Sequence, residues 1–274
     1  MTRRMASLAL AETRVRPSVT KLRAALSAGQ VAVRYQPVVR LGDGLPVAME
    51  VLARLTRPQG GLIEPADFVP HLEAAGLAWR LTQAVVRCCF AEWREFGHAS
   101  LGMALAINLP LDAMLRRGCA SWIERERKAA GIPANMLILE LTESRPVINI
   151  PALREAVQRL RDLGYRLAID DVGPAARAPE NLLDMPFAAL KLDKDLVAEV
   201  GELGCARDFV ERAIAAARVA GMRVVAEGIE DRATWERMQA MGVDEGQGFV
   251  IARPLTAESL LDWHRRWLAA HTTH

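Results

Sequence analysis

Short apolar runs recur along this chain, and each one closes on a polar or charged side chain. PVAMEVLARL carries Glu50 and Arg54, MALAIN ends on Asn108, and LILELTE holds Glu140 and Glu143. YRLAIDD then ends on Asp170 and Asp171, ALKLD carries Lys191, and VVAEGIE carries Glu227 and Glu230. Between the runs the apolar positions recur at helical spacing. The pattern predicts helices over 19–28, 65–75, 78–96, 111–129, 151–163, 207–220, 232–241 and 257–269. It predicts strands over 31–39, 46–55, 103–108, 136–141, 166–170, 188–192 and 223–226, with a short run over 248–251. Glycines 29, 76 and 97 stand where helices should stop. Gly42-Asp43-Gly44 reads as a hairpin turn, so the first two strands are expected to be antiparallel neighbours. The later alternation of strand and helix implies a mostly parallel sheet. About eight strands over roughly 250 residues suit a closed barrel better than an open sheet. Residues 1–18 are expected to form an N-terminal tail and 19–274 one barrel domain.

Isolated acids inside or just after apolar runs are costly to bury unless they are paired or bind a metal. A repeated series of them implies strands converging their C-terminal ends on one polar mouth, where such barrels keep their chemistry. Strand alternation puts Glu50, Leu52 and Arg54 on one face. A carboxylate, an apolar shelf and a guanidinium in that order suit a metal, a base or sugar, and a phosphate. Asn108, Glu140, Asp170, Asp171 and Glu227 add hard oxygen donors of the kind that favours Mg²⁺ or Mn²⁺. Adjacent aspartates invite a bridge between two metals, an arrangement able to clamp an in-line phosphoryl displacement. Lys191 would position the attacking water or offset charge building on phosphate. Each residue also has a structural reading. Asp170 or Asp171 alone suits a helix N-cap, Arg54 alone suits the surface, and Glu143 and Glu230 suit loop anchoring.

Composition narrows the remaining classes. The 274 residues are 51% hydrophobic and 25% charged, as in an ordinary globular chain. A net charge of +2 lacks the basic excess of a DNA- or RNA-binding footprint. No run reaches the roughly 18 apolar residues of a membrane helix, so no membrane insertion is expected. Arg3 and Arg4 before 5–11 loosely mimic a signal peptide, but a cytoplasmic protein with a helical or flexible extension is the expectation. Cys88, Cys89, Cys119 and Cys205 lack CxxC spacing and read as buried or half-buried thiols of a reducing compartment. His71, His98, His264, His271 and His274 lie away from the acidic ends and read as solvated. The six tryptophans fall in helical stretches and read as packing residues. No glycine-rich dinucleotide fingerprint opens a helix.

The ordered blocks YQPVV, MEVLAR, INLP, LELTES, AIDDVG, LKLD, VVAEGIE and GQGFVIARPL make the chain resemble the EAL family of cyclic-di-GMP phosphodiesterases over about 20–268. The resemblance implies a modified TIM-type (β/α)8 barrel whose first strand runs against the others. It implies that Glu50, Asn108, Glu140 and Asp170 bind one metal, and that Asp170 bridges to a second held also by Asp171. It implies that Lys191 assists the attacking water and that Glu227 completes the site. Gln36, Leu52, Arg54 and Gln247 would line the cyclic-di-GMP site, and Glu143 would anchor the loop after Asp171. The expected product is linear 5′-pGpG. A homodimer and a regulatory protein partner are further expectations.

One block departs from the family. Where the family has DDFGTGYSS this chain has DDVGPAARA at 170–178, without change of length. Hydroxyl donors are replaced, and Pro174 stiffens a glycine-rich turn. In the family this loop helps hold the second metal and supports dimerisation. Two expectations follow: a metal-dependent phosphodiesterase, or a barrel that binds cyclic-di-GMP or a protein partner without efficient hydrolysis.

Overall fold

The computed structural model describes residues 18–57, 60–142, 149–173, 182, 184–202 and 204–271. Its elements run α1 (Val19–Ser27), β1 (Val31–Arg40), β2 (Pro46–Thr56), β3 (Leu62–Ile63), α2 (Val69–Ala74), α3 (Ala78–Glu95), β4 (Ala104–Pro110), α4 (Leu111–Met114), α5 (Cys119–Ala130) and β5 (Leu137–Thr142). There follow α6 (Ile150–Asp162), β6 (Arg166–Val172), β7 (Ala189–Leu192), α7 (Lys194–Glu199), α8 (Gly204–Val219), β8 (Arg223–Ala226), α9 (Arg232–Met241), β9 (Glu245–Gly246) and α10 (Ala257–His271).

The sheet order is β1-β9-β8-β7-β6-β5-β4-β2-β3, and the added β1–β2 pairing closes it into an eight-stranded barrel with β3 on the outside. β1 pairs antiparallel with both its neighbours, β2 and β9, whereas β2 and β4 onward pair in parallel through to β9. The expected (β/α)8 barrel with an antiparallel first strand is therefore the fold observed. Strands buried on both faces read as near-continuous apolar runs, as in β4, where five of seven residues are buried. Around the barrel, α3 packs Leu81, Val85, Cys89 and Trp93 inward at helical spacing.

Several details differ from the sequence expectation. The helix expected over 111–129 is two, parted at Gly118, whose φ of 87° no other residue type adopts cheaply. The segment 65–75 is a 3₁₀ turn followed by a short helix. The apolar run over 248–251 is no strand: Ile251 and Ala252 both donate to the Gly248 carbonyl, forming a turn. The closing strand lies earlier, at Glu245–Gly246. His98 is wholly buried rather than solvated, between Tyr35, Trp93 and Phe96. His71 and His264 are half-buried, and Cys205 is exposed rather than buried. The tail 1–17, Glu143 and His274 lie outside the described residues. Among the described residues no helix is long and apolar enough to cross a membrane.

Candidate active site

Steps of two along each strand decide which side chains enter the barrel. Val38, Ala48, Ala104, Ile138, Ala189 and Val225 cluster as an apolar floor. One or two steps nearer the mouth on the same strand faces stand Gln36, Glu50, Asn108, Glu140 and Lys191, with Glu227 just beyond β8. The small alanines of the floor leave room for this polar layer above.

Lys191 is the centre of the layer. Its Nζ lies 2.6 Å from Glu227 Oε1, 2.8 Å from Asp170 Oδ1, 3.2 Å from Glu140 Oε1 and 3.6 Å from Glu50 Oε2. Burial opposes its charge, but the surrounding carboxylates prevail and hold its pKa well above the ordinary lysine value. Glu50 is held by two amides: Asn108 Nδ2 donates to Oε1 at 3.1 Å and Gln247 Nε2 to Oε2 at 2.6 Å. Burial would raise Glu50, yet Lys191 and these amides keep it below its usual value. Gln247 also donates to Gln36 Oε1 at 3.1 Å, and Gln36 donates to the Ala252 carbonyl at 3.1 Å.

Asp170 and Asp171 are adjacent, so a regular strand would turn them to opposite faces. Instead the β6–β7 register shifts between Ile169 and Val172, and Asp171 adopts φ 55°. It is the one non-glycine residue of positive φ among those described, and aspartate tolerates that region better than most residues. The bulge brings Asp170, Asp171 and Glu227 together, each with an oxygen within 4.8 Å of the others. Both aspartates stand on β6, so neither is the helix N-cap that each alone suggested.

The donor set fits divalent cations. Four carboxylates, those of Glu50, Glu140, Asp170 and Glu227, surround one ammonium, and an exposed fifth, Asp171, stands beside Asp170 and Glu227. Glu140 Oε2 and Gln247 Oε1 are buried acceptors with no hydrogen-bond donor. Desolvation pushes Glu140 well above the carboxylate range, with Glu50 and Asp170 adding to it against the pull of Lys191. Desolvation likewise raises Glu227 to about 8, and desolvation followed by Asp170 raises Asp171 to about 6. These are the strains of an anionic cluster short of positive charge.

Around the mouth, Leu52 is half-buried, while Arg54 is buried and ion-paired to Glu64 at 3.1 Å. Val51 points the other way into the core. Two clefts flank the centre. One, of about 500 Å³, is lined by Leu52, Val69, Leu81 and Pro110 and reaches Asn108 and Asp171. The other, of about 670 Å³, is lined by Arg34, Arg54, Phe249 and Arg253 and reaches Glu227 and Gln247. Both volumes suit a small-molecule ligand.

Gly228 and Gly248, next to Glu227 and Gln247, allow close approach of backbone. A Cβ at Gly248 would run into the Ile229 main chain, and one at Gly228, where φ is 68°, would meet Lys194 Cβ at 2.6 Å. Glu230, by contrast, is exposed. Glu64, Arg34, Phe249 and Arg253 were not legible as mouth residues. Only Arg34 carried a signal, its even spacing from Gln36 on the same strand.

Residues 19–254 match the family model of the EAL domain. The chain is 35% identical over 232 residues to the cyclic di-GMP phosphodiesterase PA2567 of Pseudomonas aeruginosa, covering 85% of this chain and 40% of that protein. It is 30% identical to the bifunctional diguanylate cyclase/cyclic di-GMP phosphodiesterase MucR of the same organism, covering 88% of this chain and 35% of that protein. The chain thus spans well under half the length of these curated relatives. The solved PaMucR phosphodiesterase in complex with c-di-GMP superposes with a TM-score of 0.80 at 30% identity, covering 88% of this chain and 98% of that one. The EAL enzyme Bd1971, in its cAMP- and cyclic-di-GMP-bound form, gives 0.82 at 23% identity, covering 89% and 67%, a likeness of fold.

Proposed function

This chain belongs to the EAL-domain family, and we propose that it hydrolyses cyclic-di-GMP to linear 5′-pGpG at the barrel mouth, with Mg²⁺ or Mn²⁺. The observation that carries the reading is the set of four carboxylates about one buried lysine, with Asp171 beside two of them, between two clefts of nucleotide size. The name of the 35%-identical relative supports the substrate.

Glu50, Asn108, Glu140 and Asp170 would hold one cation, and Asp170 and Asp171 a second, with Glu227 beside them. When bound, the cations supply the Lewis acidity and positive charge that an in-line displacement at phosphorus needs. The chain does the positioning. Lys191 stays protonated at neutral pH and cannot swing away from four carboxylates, so its ammonium steers the water and offsets charge on the phosphate oxygens. Asn108 and Gln247 keep Glu50 in one orientation and ionised. Arg54, aligned by Glu64, meets a phosphate, while Leu52 gives the sugar or base an apolar shelf. Water adds to one phosphorus, the P–O3′ bond breaks, and a proton from the water ends on the 3′ oxygen.

A second reading rests on the substituted block DDVGPAARA, of which 174–178 lie outside the described residues. In it the barrel binds cyclic-di-GMP, or a protein partner, without efficient turnover. Incubation with cyclic-di-GMP and Mg²⁺ or Mn²⁺, followed by chromatographic separation of the nucleotides, decides between them. The phosphodiesterase yields 5′-pGpG, abolished by chelator and by Lys191→Ala. Saturable binding with no product overturns hydrolysis and leaves a receptor.

A further inference from the structure

One arginine at the mouth is used by neither the acidic centre nor an ion pair. Arg34 lies on β1, opposite Leu52 in the antiparallel register with β2, and two residues from Gln36 on the same face. Because β1 runs against the other strands, that step leads outward toward the mouth. Arg34 is half-buried, and its Nη1 donates to the Val33 carbonyl at 2.8 Å. That bond orients the guanidinium without neutralising it. Among the described residues no carboxylate lies within ion-pairing distance of it.

The other guanidiniums of the same 670 Å³ cleft are engaged. Arg54 is paired with Glu64 at 3.1 Å, and Arg253 lies over the Phe249 ring at 4.2 Å. Arg34 and Arg54 are diagonal neighbours on the paired strands β1 and β2 and repel each other, and of the two only Arg54 has a carboxylate, Glu64, in contact among the described residues. A half-buried guanidinium oriented by a main-chain carbonyl, with no carboxylate in contact among the described residues and in a cleft that opens onto the acidic centre, offers a place for an anion. Gln36 links it structurally to Glu50 through Gln247. Arg34 therefore sits about one two-residue strand step, roughly 7 Å, outside the polar layer. That is the scale separating neighbouring phosphates of a dinucleotide.

We propose that Arg34 is a substrate-binding residue that grips the phosphodiester not being cleaved, so that this chain recognises a two-phosphate ligand through both Arg34 and Arg54. The assignment rests on the cyclic-di-GMP reading above.

The test compares wild type, Arg34→Gln and Arg34→Lys in apparent affinity for cyclic-di-GMP, as KM where the protein turns over or as Kd where it only binds. The affinity of GMP, which has one phosphate, is measured alongside by competition. Loss of one charge-assisted contact weakens cyclic-di-GMP about ten- to a hundredfold in Arg34→Gln. Arg34→Lys recovers part of that loss, GMP weakens far less, and KM moves more than kcat. Cyclic-di-GMP affinity within twofold of wild type in Arg34→Gln overturns the assignment, as does an equal loss for GMP, which marks a general field and not a grip. A wild type that neither binds nor hydrolyses cyclic-di-GMP overturns the proposed function itself, and the Arg34 assignment with it. Binding by wild type that the Gln variant retains overturns Arg34 alone.

Discussion

Lys191→Met tests the physical account of the mouth most directly. The substitution keeps the length of the side chain and removes the one ammonium that four carboxylates share at 2.6–3.6 Å. The lysine side chain is 3% exposed and those of Glu50, Glu140 and Asp170 are 5–8% exposed, so water can replace it only at Glu227, which is 19% exposed. Breaking a buried ion pair by deleting one partner costs about 3–5 kcal/mol. At roughly 2 °C per kcal/mol for a chain of this size, the metal-free melting temperature should fall by about 6–10 °C at pH 8.

The sign of the pH dependence follows from the carboxylates. Without Lys191, Glu140 and Glu227 climb further above their ordinary values and Glu50 loses the charge that holds it down, so the penalty is complete above the folded pKa and vanishes below the unfolded one. The gap between wild type and variant in chelator should therefore narrow as pH falls from 8 toward 4. Mg²⁺ should raise the variant's melting temperature more than the wild type's, because cations enter a more negative site. Thermal melts at several pH values, with chelator and with Mg²⁺, measure all three effects. A variant as stable as wild type in chelator at pH 8 refutes the reasoning, since the carboxylates would then be neutral or solvated without the lysine.

Three further outcomes are expected. Asp171→Asn keeps a side chain that tolerates φ 55° and removes the charge beside Asp170, so the metal-free protein should melt higher at pH 8 while Mg²⁺ binds more weakly by calorimetry. In chelator, wild-type stability should decline as pH rises from about 4 to about 8, because Asp171 and Glu227 titrate at about 6 and about 8 in the fold, above their ordinary values; a flat or rising profile contradicts this. Gln247→Leu strands Gln36 Oε1 without its donor and leaves Glu50 Oε2 only the longer contact to Lys191, and should cost about 1–3 kcal/mol by urea denaturation. Gln36→Leu, which leaves the Gln247–Glu50 bond in place, should cost less.

Much of the barrel was legible because its strands are buried on both faces and end in charge. The run 46–55 lies within β2, and both 223–226 and 232–241 coincide with observed elements. Backbone geometry accounts for much that was not. β9 is the two-residue segment Glu245–Gly246, which has no apolar pattern to announce it, whereas the apolar 248–251 is bent into a turn against Ile229. Gly118 splits a helix whose apolar periodicity runs through it. His98 read as solvated because it lies away from the acidic strand ends, but Tyr35, Trp93 and Phe96 enclose its ring. The aspartate pair was legible as chemistry and not as geometry, since no spacing rule predicts the bulge that turns both carboxylates the same way.

That bulge and the reversed first strand solve the same problem from opposite sides of the barrel. A regular parallel barrel fills each inward layer with about four side chains from alternate strands, which is too few to gather an anionic cluster with its own amide supports. The β6 bulge adds a second carboxylate from one strand. The antiparallel β1 adds Gln36 from the seam where the barrel closes, and β1 meets β9 there through only two residue pairs. The side-chain chain from the Ala252 carbonyl through Gln36 and Gln247 to Glu50 and Asn108 then spans that weak seam. Closure of the barrel and orientation of Glu50 thus depend on the same hydrogen bonds. Any loss at Gln247 should accordingly loosen the β1–β9 seam and misorient the carboxylate together, with faster amide exchange at Leu41, whose N–H donates to the Asp244 carbonyl, accompanying the loss of activity.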